Sequence, residues 1–195
     1  MHKVRIGVMG SAKGPTLTHP GNIEKARQIG ACIAEKGYIL ITGACPGLPD
    51  EAAKGAKHVG GFVFGVSPAF SHAEHIQRYR SPTQHYDLIQ YSGLGLMERD
   101  ILNIRTCDAI VILGGGMGTL NEFTVAYDEG KIIGVCTGMG GISGHIPEII
   151  RFCERELDRP GLIFEADPQK LINKIDQAIK VIPHPFEEDS NLLKD

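Results

Sequence analysis

The chain of 195 residues lacks a basic excess: Lys+Arg number 20 against Asp+Glu 23, for a formal net charge of −3. Proteins that grip nucleic acid through its phosphates carry a surplus of cations, so nucleic acid is not an expected partner. Long apolar runs are also missing. None approaches the roughly 20 residues that span a bilayer, and no membrane association is expected. Met1-His2-Lys3-Val4-Arg5-Ile6 passes directly into a strand-like segment, without the apolar core and cleavage site of a secretion signal. A cytoplasmic location is the expectation. Paired cysteines are absent: Cys32, Cys45, Cys107, Cys136 and Cys153 are scattered, with neither CxxC nor metal-ligand spacing. They read as reduced, buried thiols rather than as a disulfide framework. No metal and no cofactor is expected. His72-Ala73-Glu74-His75 is an HxxH and not the zinc pattern HExxH.

Tryptophan is missing altogether and aromatic residues are 6%, whereas glycines number 25. Glycine at this density suits tight strand-to-helix turns and close approach of backbone to a ligand. A hydrophobic fraction of 42% with 22% charged residues excludes disorder as the main state.

Short apolar runs alternate with helical patterns. Strands are expected at Val4–Met9, Tyr38–Thr42, Phe62–Val66, Asp87–Tyr91, Ala109–Leu113, Lys131–Cys136 and Leu162–Phe164. The first helix is expected to be capped by Asn22, with Ile23, Ala26, Gly30, Ile33 and Ala34 on one face, and to end at Gly37. Further helices are expected at Asp50–His58, Leu94–Cys107, Thr119–Gly130, Ile146–Leu157 and Pro168–Lys180, the last capped by Asp167. Ser67–Gln84 reads as irregular. This alternation predicts a single-domain α/β fold over residues 1–182, a Rossmann-like doubly wound parallel sheet with helices on both faces. Residues 183–195, with Glu187-Glu188-Asp189, read as a polar tail.

In such a fold ligands sit beyond the carboxyl ends of the strands. Gly114-Gly115-Gly116-Met117-Gly118-Thr119 follows an apolar strand and opens a helix. Unpaired amides of Gly115, Gly116, Met117, Gly118 and Thr119, the helix dipole and the Thr119 hydroxyl together suit a phosphate. The alternative is that these glycines only permit a tight turn. Glu122 reads as a capping-box glutamate reaching back to Thr119, or as a group facing the ligand. Arg99 reads as half of a surface ion pair, or as part of the same site. His72, His75, Arg78 and Arg80 are either a lid or a solvated loop, and Gly138–Gly144 is expected to be a mobile loop facing the ligand.

Arg99, then Asp108-Ala109, an apolar strand and Gly-Gly-Gly-Met-Gly-Thr-Leu-Asn-Glu resemble the Lonely Guy (LOG) family, whose members carry an arginine-bearing helix followed by Pro-Gly-Gly-x-Gly-Thr-x-x-Glu. Met9-Gly10-Ser11, Thr42-Gly43-Ala44-Cys45-Pro46-Gly47 and Glu51-Ala52-Ala53-Lys54-Gly55-Ala56 are similar to its other turns and its Glu-Ala-Ala helix, so the resemblance runs to about Lys180. It implies a homodimer or larger homo-oligomer that cleaves the N-glycosidic bond of a nucleoside 5′-monophosphate to free base and ribose 5-phosphate. Arg99 and Glu122 would then be catalytic. Gly10, Ser11, Gly43, Gly47 and Gly115–Thr119 would bind the nucleotide and its phosphate. The older label of lysine decarboxylase is not implied, because no lysine stands out for a Schiff base. Gly114 in place of proline, Asp100 in place of lysine, and Asn103 look more like a neighbouring branch that includes molybdenum cofactor carrier proteins. That branch implies the alternative function, a nonhydrolytic binder of a phosphorylated nucleotide or pterin.

Overall fold

The computed structural model describes residues 3–19 and 21–182. The polar tail expected at 183–195 lies outside the described residues. Among the described residues seven strands run in chain order as β1 (Arg5–Gly10), β2 (Ile39–Thr42), β3 (Val63–Ser67), β4 (Leu88–Tyr91), β5 (Ala109–Leu113), β6 (Ile132–Cys136) and β7 (Leu162–Glu165). They form one sheet in the order β4-β3-β2-β1-β5-β6-β7, with every neighbouring pair parallel. The doubly wound architecture expected from the sequence is therefore the one present.

The central strands carry apolar side chains on both faces because both faces are covered. All five positions of β5 and all five of β6 are buried. The helices are α1 (Asn22–Glu35), α2 (Leu48–His58), α3 (His72–Gln77), α4 (Gly95–Thr106), α5 (Met117–Asp128), α6 (Ile146–Phe152) and α7 (Pro168–Val181). One core joins Val8 and Val111 to Ile29 and Ile33 of α1, Ala52 of α2 and Ile172 of α7. The other joins Met9 and Ile112 to Ile104 of α4, Phe123 of α5 and Ile150 of α6. Each fully buried branched side chain contributes about 1.5–3 kcal/mol relative to exposure.

The Glu51–Ala56 pattern is a packing device. A Cβ on Gly30 would lie 1.8 Å from the Ala52 carbonyl oxygen, and one on Gly55 would lie 1.9 Å from that of Arg27. Helices α1 and α2 thus pack backbone to backbone, and small residues are required where they cross.

Several local boundaries differ from the sequence expectation. Asn22 does not cap α1. Gly21 holds that position, and the Asn22 amide instead donates to the Thr16 and Met139 carbonyls at 2.8 and 3.0 Å, tying two loops together. Ile23 is exposed, and Ile29 and Cys32 join Ala26, Gly30 and Ile33 on the buried face. Helix α2 begins at Leu48 rather than Asp50, and α5 at Met117 rather than Thr119. Helix α6 stops at Phe152, short of Leu157, and Glu154 turns the chain with φ of +54°. The segment read as irregular contains α3, capped by the Ser71 hydroxyl, which accepts from the Glu74 amide. Asp167 caps α7 as expected, accepting from the Lys170 amide at 2.8 Å.

Candidate functional site

The chain leaves β1 for one half of the sheet and returns through β5 beside it, so the strand order reverses between these two strands. The loops after them diverge and leave a crevice. A cavity of about 760 Å³ lies there, lined from the turns after β1, β2, β5 and β6 and from α4 and α5. Of the residues singled out from sequence, Gly10, Ser11, Gly43, Arg99, Gly115, Gly116, Met117, Gly118, Thr119 and Glu122 all line it. Gly47 does not. It has φ of +84°, and a Cβ there would lie 2.2 Å from the Ser11 carbonyl oxygen, which accepts from the Leu48 amide. Gly47 therefore supports the Ser11 turn from behind.

The turn after β5 is built on left-handed backbone. Gly114 and Gly115 have φ of +61° and +97°, and a Cβ on Gly115 would lie 2.4 Å from Thr119 Cβ. One expectation is corrected here: the Gly115 amide is not free, since it donates to the Ser11 hydroxyl at 2.7 Å. The run of open amides begins further on. Gly116 caps α5 with no side-chain cap, so the amides of Met117, Gly118 and Thr119 lack intrahelical acceptors and carry the positive end of the helix dipole. A Cβ on Gly116 or Gly118 would meet nothing within 4 Å. These two glycines leave open space where an anion can approach. The Gly138–Gly144 loop contributes Gly140 and Gly141 to the lining. It is pinned by Ile142 and Ser143 amides donating to the Gly115 and Gly114 carbonyls.

The other end of the cavity holds buried charge. Arg99 is only 5% exposed, so the surface ion-pair reading does not apply. Its Nη1 lies 3.5 Å from Asp100 Oδ1 and 4.0 Å from Glu122 Oε1. Its Nε is buried with no hydrogen-bond partner among the described residues. A buried guanidinium so weakly partnered is poised for an acceptor from a ligand. Gly43 makes room for it, because a Cβ there would lie 2.1 Å from Nη1.

Glu122 is not a capping-box residue. Helix α5 starts two residues before Thr119 and has no side-chain cap, and the buried carboxyl turns toward Arg99 instead. Burial, then the neighbouring Asp100 charge, push it up to about 8, against the opposing pull of Arg99 and the Asn103 amide. Burial also raises Asp100, although Arg99 and a 3.2 Å hydrogen bond from the Asn121 amide favour its charged form.

The profile of the SLOG cluster4 family matches residues 3–172. The chain belongs to the SLOG cluster4 family. This SLOG cluster4 protein is 31% identical over 131 residues to an uncharacterized protein of Archaeoglobus fulgidus, covering 67% of this chain and 78% of that one. It is 30% identical over 117 residues to a cytokinin riboside 5′-monophosphate phosphoribohydrolase of Mycobacterium tuberculosis, covering 59% of each. Among solved structures, the molybdenum cofactor carrier protein of Chlamydomonas reinhardtii superposes with a TM-score of 0.71 at 30% identity, over 92% of this chain and 99% of that one. Its homologues thus include both a LOG phosphoribohydrolase and molybdenum cofactor carriers.

Within the SLOG cluster4 fold, the departures from the LOG pattern acquire physical meaning. Proline locks φ near −65°, so it cannot occupy position 114 at φ of +61°. Asp100 puts a carboxylate, where the LOG pattern has a lysine, against the one guanidinium that lines the cavity among the described residues. Asn103 is fully buried, donates to Met9 Sδ at 3.2 Å, and leaves its Oδ1 without a partner among the described residues.

The structure also places in the cavity residues to which the sequence reading gave no site role. Cys45 lines the cavity, with its thiol pushed up to about 12 by burial despite Arg99. That makes it an apolar wall rather than a nucleophile. Its place in a glycine turn after β2 was the available signal. Lys13 and Thr16 line the cavity from the β1 loop. The lid reading of His72, His75, Arg78 and Arg80 is not supported, as none of them lines the cavity. His75 is fully buried, with its ring nitrogens 2.8 Å from the Ser67 hydroxyl and 3.0 Å from the Pro82 carbonyl oxygen. Among the described residues there is no cluster of metal-ligating side chains and no helix long and apolar enough to cross a membrane.

Proposed function

We propose that this protein binds a nucleoside 5′-monophosphate and hydrolyses its N-glycosidic bond, releasing free base and ribose 5-phosphate. The observation that carries this reading is the meeting of Arg99 and Glu122 at 4.0 Å in the cavity that the open amides of α5 also line. The 5′-phosphate occupies the cradle of Gly116–Thr119, and Lys13 at the cavity's edge adds a cation. Arg99 donates to ligand oxygens and satisfies its orphaned Nε. It stays charged and serves as no acid.

Chemistry then falls to Glu122. Poised near 8 by its surroundings, it is a neutral carboxyl at physiological pH and can donate. As the C1′–N bond breaks, its electron pair goes to the base, and the Glu122 proton moves to a base nitrogen. The carboxylate so formed stabilises the cationic sugar. Water adds to C1′ and returns its proton to Glu122, which restores the starting state. No metal or cofactor enters these steps. A homodimer or larger oligomer is part of the same reading, supported by Leu94, Leu96 and Met97 exposed on and beside α4, as is a cytoplasmic location. Incubation with AMP, GMP and other monophosphates, followed by chromatography for free base, tests the proposal.

A second reading is favoured by the positive φ of Gly114 and by the nearly full-length match to the carrier structure. In it the same cradle holds a phosphorylated pterin or nucleotide without hydrolysis. Tight binding of such a ligand, with no base released from any monophosphate, would establish the carrier and exclude the hydrolase.

A further inference from the structure

Asp100 has no part in the steps above, yet it is one of the most costly residues to place. It is 4% exposed, adjoins Arg99, and shares the cavity lining with Glu122. A lone buried carboxylate beside a guanidinium forms a neutral pair. A second carboxylate in the same volume adds a charge with nothing to balance it. Among the described residues, the groups acting on Glu122 are Arg99 and Asp100 of α4, the Asn103 amide, and the thiols of Cys45 and Cys107. Neither thiol is ionised at neutral pH, since both are strongly buried, so one cation faces two acids.

Resting on the hydrolytic reading, we propose that Asp100 is a positioning residue that keeps a proton on Glu122 for delivery to the departing base, by competing with Glu122 for the Arg99 guanidinium. The geometry gives Asp100 the advantage: it lies 3.5 Å from Arg99 Nη1 against 4.0 Å for Glu122. It also receives the Asn121 amide at 3.2 Å, which steadies its charged form. Arg99 and Asp100 therefore neutralise each other, and Glu122 retains the proton. The arrangement resembles two carboxyl groups sharing one proton, with a guanidinium deciding which of them releases it.

The test needs no turnover. Carbon-13 NMR of glutamate-labelled protein, with Glu122 identified by its loss in Glu122→Gln, follows its titration directly. In the wild type the expected midpoint is near 8; a midpoint below about 6 overturns the inference without any variant. In Asp100→Asn, and in Asp100→Ser should the first fold poorly, Glu122 pairs with Arg99 and its midpoint falls by at least one pH unit. An unchanged midpoint overturns the inference. The pH at which base release declines should move down by the same amount, with kcat changing more than KM. If the NMR midpoint moves but wild-type protein releases no base, the proton competition stands and the hydrolytic reading falls.

Discussion

The two ends of the cavity solve opposite problems with opposite materials. At one end, the turn after β5 and the start of α5 present backbone amides, with Gly116 and Gly118 open to the cavity. Attraction for an anion there comes from aligned peptide dipoles and costs no buried side-chain charge. At the other end, Arg99, Asp100 and Glu122 are each less than a tenth exposed, and their charges balance only by sharing a proton. In the proposed function the first end would hold a ligand by geometry, with no titrating side chain of its own. The second end is tuned by burial and changes state near neutral pH. The proposed function assigns binding to one end and chemistry to the other, and that division can be attacked from either side.

The largest effect is expected at the charged end. Glu122→Gln keeps the side-chain size but removes both the proton and the charge that follows it. Base release should slow about 100- to 1,000-fold, or roughly 3–4 kcal/mol of barrier, while affinity for the monophosphate changes little. A folded variant with wild-type turnover would falsify the role given to Glu122. The wild-type rate should also be flat below pH 8 and decline about tenfold per unit above it, because the donor must be protonated and burial holds it at about 8. A rate that climbs through this range would instead make Glu122 a base.

At the amide end, two alanine substitutions separate folding from binding. Gly115→Ala forces a Cβ to 2.4 Å from Thr119 at φ of +97° and should destabilise the fold by about 1–3 kcal/mol. Gly116→Ala meets no neighbour within 4 Å. It should leave the melting temperature unchanged and weaken monophosphate binding several-fold. If both variants behave alike in melting and calorimetry, the turn is only a turn. Calorimetry should likewise show AMP binding at least about tenfold more tightly than adenosine, some 1.4 kcal/mol. Equal affinities would remove the phosphate from the cradle.

The smallest effect is on stability. Glu122 has its folded-state pKa raised from 4.5 to about 8, so the folded protein holds a proton that the unfolded chain releases. The stability this provides is complete below pH 4.5 and is lost as pH rises through 8. Glu122→Gln cannot lose it. At pH 9 the variant should exceed the wild type by more than about 1 kcal/mol, or at least roughly 2–4 °C in Tm, with the advantage shrinking toward pH 5. A variant less stable than wild type at pH 9 contradicts the burial argument.

The local order of the chain was legible in its residues. Strand periodicity, the Asp167-Pro168 start of α7 and the glycine turn before α5 each depend on neighbours in sequence, and each is present in the structure. The doubly wound parallel sheet followed too, because strand–helix alternation with right-handed crossovers admits few architectures, whereas the order of its strands came from the structure. What could not be read locally was any state set by burial. Arg99 and Glu122 each had an ordinary surface reading, and only the approach of α4 to α5 beneath Gly43 takes them out of water and makes them neighbours. Gly47 looked like a ligand turn but supports Ser11, and His75 read as part of either a lid or a solvated loop but is held inside by Ser67 and Pro82. Hydrogen-bond partners chosen across the fold override the pattern along the chain, as Asn22 shows by leaving the cap of α1 to bridge Thr16 and Met139. Sequence located the glycine turn and the helix start whose amides border the crevice. The tertiary structure alone decided which charges are buried there, since desolvation and proximity are properties of the packed elements and not of any segment by itself.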